Sequence, residues 1–482
     1  MSFRSIAIRG SFWTLLSTVL TSLLHLALMG VLARYLNKSD FGVVAIIMLV
    51  TGFVQTFSDL GFSTVVMHRK VLTDLEFSSL FWVQMFIFVL MFFSLYIVTP
   101  LLSVFFNESL LNQLMPIALV GLIFTGIGKL YGTVCQKEKK FKILAIRNIV
   151  SAIISFIIGV GLVINGFGVY SLVGALVFQT AIMNIWNYIA GQTTYKIRFQ
   201  LNINAIKPLT KIGLYQTGAQ LLDYTFSRLD IILLGKFLGT ESLGIYNLAK
   251  DLITKAVTLV NSIGNSVALP LFAEIQDDYN RMQINYCKLL SILSIIVMPI
   301  LAIVGGGSLF VVDLLYGSNY IDVSPILTVF SIWGMFVCVG NPVGNIIVAS
   351  GRTDLNLLFV IIRGVLVIPV IYVLCKLDVL WVSIGVLVVE IIVFFVSWYL
   401  ELFKVIGLSL SNLLNSFKKM LVTSIVFVSI MYCISWIYYD ALKESFFAAL
   451  VFVILQVLLY ILLVFIFDKK QIVQIYTYFF KN

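Results

Sequence analysis

Apolar residues along this chain come in long runs and not in one-sided stripes. Fourteen runs can be drawn, at about 10–36, 41–66, 77–106, 110–134, 143–165, 168–192, 205–237, 244–275, 286–316, 324–350, 357–376, 379–403, 416–439 and 445–467. A soluble helix keeps a polar face, whereas these runs are apolar all round. A membrane helix needs about 20 such residues, so each run predicts a helix that crosses a bilayer. The alternating ten-residue segments of a membrane barrel are missing. The connections are short, and no soluble domain fits among them. The first run follows a short basic start. It is too long for a signal peptide and no small-residue cleavage site follows, so it is expected to be retained. The fold class read from this pattern is an all-α integral membrane protein with about 14 transmembrane helices.

Composition strengthens the reading. Of the 482 residues, 61% are hydrophobic and 11% charged, against roughly 45–50% and 25% in soluble domains. A water-soluble globule, a disordered chain and a secreted disulfide scaffold are excluded. The net charge of +10 reflects where Lys and Arg lie. With the N-terminus in the cytoplasm, 22 fall in inner segments, from Arg4 and Arg9, through Lys137, Lys139, Lys140, Lys142 and Arg147, to Lys469, Lys470 and Lys481. Five fall outside: Arg34, Lys38, Lys236, Lys376 and Lys443. This is the positive-inside asymmetry. It puts both termini in the cytoplasm and accounts for the basic balance without a nucleic-acid partner. Five scattered Cys and two His, His25 and His68, offer nothing on which to build a metal site or a catalytic triad. Enzymatic chemistry and a resident cofactor are therefore not expected.

The chain also repeats itself. Residues 33–44, Ala-Arg-Tyr-Leu-Asn-Lys-Ser-Asp-Phe-Gly-Val-Val, align without gaps on 235–246, Gly-Lys-Phe-Leu-Gly-Thr-Glu-Ser-Leu-Gly-Ile-Tyr. Arg34 matches Lys236, Tyr35 matches Phe237, Leu36 matches Leu238 and Gly42 matches Gly244. Both stretches are outer hairpins between the first two runs of a half. Six runs separate them, so the halves insert in the same sense. Such parallel repeats build transporters with a site between the halves. The expected organisation is an N-terminal six-helix bundle at 1–192, a basic inner linker at 193–211, a second six-helix bundle at 212–403, and two additional helices with a tail at 404–482. In the linker, Tyr195, Ile197, Phe199, Leu201 and Ile203 alternate with polar residues. This predicts an extended strand at the membrane surface.

The stretch Asp230-Ile-Ile-Leu-Leu-Gly-Lys-Phe-Leu-Gly239, followed by Leu243-Gly244-Ile-Tyr246-Asn-Leu-Ala249, resembles the seventh–eighth helix motif of polysaccharide flippases. So do its first-half echo, Ala33-Arg-Tyr-Leu36 with Phe41-Gly42, and the second-helix ending Asp59-Leu-Gly61-Phe. Over roughly residues 1–410 the chain is similar to Wzx-type, colanic-acid-exporter-like flippases of the multidrug/oligosaccharidyl-lipid/polysaccharide exporter superfamily. The resemblance implies two six-helix bundles in a V around a central cavity, working by alternating access in the bacterial inner membrane. It also implies a polyprenyl-pyrophosphate-linked oligosaccharide as substrate, and a polysaccharide polymerase and glycosyltransferases as partners.

Charges inside the predicted spans mark where that cavity would be. Each costs at least ~2.5–3.5 kcal/mol at mid-helix and should face water or a partner. They are His25, Asp59, Lys129, Asp223, Arg228, Asp230, Lys250, Asp251, Lys255, Arg363 and Glu390. Six lie on helices seven and eight, which the resemblance places at the cavity. Asp223, Ser227 and Asp230 follow i, i+4, i+7 spacing and would share one helix face. The candidate substrate-binding residues are Arg228, Asp230, Asp223, Lys250, Lys255, Lys129 and Arg363. The cations would pair the pyrophosphate, while Gln216, Gln220, Asn261 and Asn265 would bind sugar hydroxyls. Coupling to H⁺ or Na⁺ would need a carboxylate, with Asp223, Asp230 and Glu390 as candidates. Plainer roles compete. Asp251 and Lys255 read equally as an i,i+4 pair, Lys250 as a snorkelling side chain, Lys129 as a helix-end anchor and Asp230 as a partner of Arg228. His25 reads as a hydrogen-bonded structural residue, and Glu390 as a partner of Arg363.

Two glycine-rich stretches, Gly126-Ile-Gly128-Lys129 with Gly132 and Gly340-Asn-Pro342-Val-Gly344, occupy matching places in the two halves. They predict either paired helix breaks or close helix packing. A cation-coupled multidrug exporter would favour a carboxylate-rich cavity, and here basic residues are as numerous. A lipid II flippase would suit fourteen spans, but the Arg-Asp cluster of that group is not seen in helices one and two. A membrane glycosyltransferase or polymerase would need a large outer loop.

Overall fold

The computed structural model describes residues 3–69, 72–202, 217–218, 220–276, 278–442 and 451–464. These residues are helical or connecting, and no strand occurs among them. Eleven helices among them are long and apolar enough to cross a membrane. Large apolar side chains on their outer faces stay uncovered: Ile97, Leu101 and Val104 are 74%, 69% and 78% exposed. On a soluble protein such a surface would aggregate, whereas lipid covers it. The chain is a multi-pass membrane protein.

The chain forms two compact units, Met1–Gly244 and Ile245–Asn482. In the first, α1 (Phe3–Leu32), α2 (Lys38–Phe57), a short α3 (Phe62–His68), α4 (Asp74–Phe106), α5 (Leu111–Lys137), α6 (Phe141–Ile164) and α7 (Tyr170–Gly191) are followed by α8 (Leu229–Phe237). Helix α5 packs on α4 and α7, and α6 packs on α1 and α7. Helix α9 (Gly239–Glu274) leads into the second unit. There α10 (Tyr279–Gly306), α11 (Ser308–Tyr316), α12 (Val323–Gly340), α13 (Val343–Ala349), α14 (Thr353–Leu374), α15 (Val379–Ser397) and α16 (Lys418–Leu442) follow in order. Helix α12 packs on α10 and α15, and α16 packs on α10.

Several predicted runs are not single helices. The second breaks at Asp59–Gly61, where Leu60 and Gly61 take positive φ of 42° and 69°. The ninth breaks at Gly307 between α10 and α11, and the tenth at Asn341–Pro342 between α12 and α13. Proline has no N–H to give a helix interior, which accounts for the last. The glycines of the fourth run do not break it: α5 is continuous from Leu111 to Lys137. There the packing alternative holds, since a Cβ on Gly128 would lie 2.3 Å from the Asn184 carbonyl oxygen. The seventh run turns at Arg228, whose φ of −121° and ψ of 9° are not helical. Asp223 and Asp230 therefore do not share a face: Asp223 is exposed and Asp230 buried.

The repeated hairpins meet each other. A Cβ on Gly42 would lie 1.9 Å from the Thr240 carbonyl oxygen, and one on Gly244 would lie 1.9 Å from that of Lys38. Thr240 is the repeat mate of Lys38, so one contact is made twice. Glycine at both positions lets the N-terminal ends of α2 and α9 touch backbone to backbone.

Residues 195–202 run extended along the start of α4. Tyr131 donates its hydroxyl to the Tyr195 carbonyl at 3.0 Å, and the Arg198 and Asn202 amides donate to Ser78 Oγ and Ser79 Oγ at 3.0 and 2.9 Å. The predicted alternation holds only at its start: Tyr195 and Ile197 are half-buried and Lys196 and Arg198 exposed, but Phe199 and Leu201 are exposed as well. Residues 203–211 of the predicted linker lie outside the described residues.

Candidate functional site

A cavity of about 300 Å³ opens within the first unit, between the middles of α2, α5 and α7 and the turn after residue 227. Its walls carry Thr51 and Gln55 from α2, Gly121 from α5, Thr180 from α7, and Tyr224 and Arg228. Local chemistry explains how each arrives there. Tyr224 reaches α2 because residue 52 is Gly, and its hydroxyl donates to the Leu49 carbonyl at 2.9 Å. The Arg228 guanidinium lies over the Tyr224 ring, 5.3 Å from its centroid, a favourable cation–π position. Thr51 and Thr180 donate back to carbonyls in their own helices at 2.8 Å, which leaves hydroxyl lone pairs available. Arg228 is the one charged side chain lining this cavity among the described residues, and no carboxylate lines it.

Just beyond Gln55 lies a buried polar cluster. Lys129 on α5 donates to the Gln55 carbonyl at 2.8 Å and stands 3.6 Å from Asp59 Oδ1. Asp59 also accepts from Ser63 Oγ at 2.7 Å and faces Gln84 Nε2 at 3.5 Å. Lys129 is thus an ion-pair partner held against the cavity wall. Asp230, 4% exposed, sits in the first turn of α8 and accepts from the Ile231 amide at 2.9 Å. Gln220 is exposed. Gln216 and the side chains of Asn261 and Asn265 lie outside the described residues.

Lys250, Asp251, Lys255, Arg363 and Glu390 belong to the second unit. Lys255 pairs with Asp251 at 3.8 Å, four residues apart. Lys250 lies over the rings of Tyr246 and Trp333, at 5.5 and 5.9 Å. Arg363 on α14 and Glu390 on α15 pair at 3.3 Å.

Residues 31–325 match the polysaccharide biosynthesis protein family over more than half of the chain. The chain belongs to that family. It is 26% identical over 413 residues to the lipopolysaccharide biosynthesis protein WzxC of Escherichia coli, covering 85% of this chain and 83% of WzxC. It is 26% identical over 350 residues to the teichuronic acid biosynthesis protein TuaB of Bacillus subtilis, covering 72% of each. Among solved structures, an inward closed lipid II flippase MurJ superposes with a TM-score of 0.76 at 17% identity, over 96% of this chain and all of that one. An inward-facing multidrug MATE transporter gives 0.64 at 14% identity, over 82% and 96%. The family member therefore has the fold shared by MurJ and MATE proteins.

Among the described residues of this family member, two buried charges were not among the predicted intramembrane charges. Arg147, counted as a loop charge, is 9% exposed within α6. Its guanidinium donates to Asn187 Oδ1 and, at 3.1 and 2.6 Å, to Asn148 Oδ1. Glu401 lies on a π-helical turn, Trp398–Phe403, and is 3% exposed. It accepts from Ser397 Oγ at 2.6 Å. Polar residues near the ends of apolar runs were the available signal for both.

Proposed function

We propose that this protein is a flippase that moves a polyprenyl-pyrophosphate-linked oligosaccharide repeat unit across the bacterial inner membrane for surface polysaccharide synthesis. The observation that carries the reading is the cavity between the middles of α2, α5 and α7, lined among the described residues by Arg228 and hydrogen-bonding side chains and by no carboxylate. In a low-dielectric interior one guanidinium is a strong attractor for an anion, and its planar fork matches phosphate oxygens. A cavity of about 300 Å³ is at the small end for a binding site, and suits the pyrophosphate end of a headgroup more than a whole oligosaccharide. The oxygens of Thr51, Thr180 and Tyr224, whose protons go to backbone carbonyls, would accept from sugar hydroxyls, and the Gln55 amide would donate to a further phosphate oxygen. The polyprenyl tail stays in lipid, and no covalent step is required of the protein. Both termini lie in the cytoplasm on this reading, on the side of the glycosyltransferases that would build the unit, and a polymerase would take it up on the far side.

The names of WzxC and TuaB support a polysaccharide cargo, and MurJ supports a lipid-linked one. A cation exporter is the alternative that the MATE likeness raises, and the sign of the cavity charge disfavours it. Purified protein in liposomes tests the choice. Translocation of an undecaprenyl-pyrophosphate oligosaccharide, with no ethidium transport, is the expected result. Ethidium transport without lipid-linked sugar translocation would overturn the proposal.

A further inference from the structure

The cavity beside Arg228 is apolar at one end and polar at the other. Helices α2, α5 and α7 run in the same direction, because α4 returns the chain between the first two and α6 between the last two. Along α2 the lining passes from Ile47 and Met48 to Thr51 and Gln55. Along α7 it passes from Leu176 and Val177 to Thr180. In both helices the apolar side chains come first. A Cβ on Gly121 of α5 would meet Thr180 at 3.8 Å, so Ala118, one turn earlier, stands level with Val177 and joins the apolar end.

The cation stands at the step between the two ends. The Tyr224 hydroxyl lies against Gly52 and donates to the Leu49 carbonyl, which sets its ring between the levels of Met48 and Thr51. The Arg228 guanidinium lies over that ring.

We propose that the cavity holds the junction between an isoprenoid and its phosphates. One phosphate sits on Arg228, the first isoprene unit lies against Ile47, Ala118, Leu176 and Val177, and the rest of the headgroup extends past Gln55. The proposal rests on the anion-binding reading of the cavity and adds what is read on the other side of the phosphate, the carrier lipid.

The hydrogen-bonding groups suit that junction better than a sugar. Thr51 and Thr180 give their protons to the Ile47 and Leu176 carbonyls, and Tyr224 gives its proton to Leu49. Among the described lining residues, the Arg228 guanidinium and the Gln55 amide are then the side chains with protons to donate. A phosphate asks only for donors. A sugar ring carries hydroxyls on every side, and those turned to the apolar end would lose water without a replacement, which costs free energy. An isoprene unit loses nothing there and gains ~fourfold in affinity for each methylene buried. Met48 is 41% exposed, so the apolar end is open and the remaining isoprene units can pass out to lipid. A cavity of this kind reads the carrier and not the glycan, and serves repeat units of different sugar sequence on one carrier.

The test is calorimetric binding of methyl pyrophosphate and dimethylallyl pyrophosphate to the detergent-purified full chain. Both probes are water-soluble, carry the same charge and differ by the isoprene unit. Wild type should bind dimethylallyl pyrophosphate at least ~tenfold more tightly, with a more negative heat-capacity change, the mark of apolar burial. Ala118→Leu, which fills the apolar end, should cut that preference to under ~threefold. Val177→Thr has the same size but adds a hydroxyl; it should lower the preference as well, and it gives the comparison if Ala118→Leu does not fold. Equal affinity of wild type for the two probes, or an undiminished preference in the variants, would overturn the isoprene subsite and leave the anion site standing. No binding of either probe by wild type would overturn the anion reading, and the junction with it.

Discussion

Gly42 and Gly244 hold the N-terminal ends of α2 and α9 together, and alanine at either should force them apart. The added Cβ would lie 1.9 Å from a backbone carbonyl oxygen in each case. A carbon–oxygen contact of this kind needs roughly 3.3 Å, so the helices must part locally by about 1.4 Å. The carbonyls belong to the first turns of helices and cannot swing aside as a side chain would. Overpacking of this kind costs about 1–3 kcal/mol. The better helix propensity of alanine returns up to ~1 kcal/mol, and because backbone must move at this crossing the cost belongs at the upper end of that range, which leaves a net loss of about 2 kcal/mol for each single variant. Both methyls press on the same crossing. Once one has opened it, the second meets less resistance, and the double variant should lose clearly less than the two singles together. Thermal unfolding of the four proteins in one detergent, followed by reaction of a thiol dye with buried Cys135 and Cys338, measures this. Singles as stable as wild type, or a double loss equal to the sum, would refute the shared contact.

Neutralising Glu390 alone should destabilise by about 1–3 kcal/mol once the partial exposure of its pair with Arg363 is allowed for; Arg363→Met/Glu390→Gln should recover part of that in the same thermal assay. Lys255→Ala should cost under ~0.5 kcal/mol, as an i,i+4 pair on a helix does, and leave transport unchanged; lost transport would show that Lys255 acts apart from Asp251. At Glu138, between α5 and α6, partial burial raises the carboxyl pKa, but hydrogen bonds from Lys140 and Thr194 and the nearby Lys137 outweigh it and hold the group below its ordinary value of 4.5. Its stabilisation is present above that value and lost as pH falls through the lower folded one, so Glu138→Gln should narrow the difference in Tm between about pH 6 and about pH 4.

The helical fold and the two matching hairpins were legible because they are written in local pattern. Gly42 and Gly244 stand 202 residues apart in matching words, and the structure puts them on one crossing. Pro342 marked a helix break in the same local way, and the alternation of Tyr195 and Ile197 marked an extended segment. The pairing of charges was less legible. Asp59 and Lys129 are 70 residues apart on different helices, and periodicity carries no record of which helices adjoin. Arg363 and Glu390 were recognised as alternatives to function, and the geometry pairs them. Helical spacing placed Asp223 with Asp230 only by assuming an unbroken helix, and the turn at Arg228 removes that register. Arg147 sat at the edge of an apolar run and counted as a loop charge; its partner Asn187 became visible only when α6 and α7 were packed together. Arg228 itself was legible as a charge with no basic loop nearby.

The anion-binding role of Arg228 is tested most directly by the rate at which Arg228→Ala, reconstituted in liposomes, translocates an undecaprenyl-pyrophosphate oligosaccharide. Hydrogen bonds to a charged group contribute about 1.5–3 kcal/mol, which corresponds to a fall of roughly ten- to a hundredfold in rate, with the thermal midpoint of the protein near that of wild type. Arg228→Lys should recover only part of it, because a point charge cannot replace the planar fork. A stably folded Arg228→Ala that translocates at the wild-type rate would contradict the account.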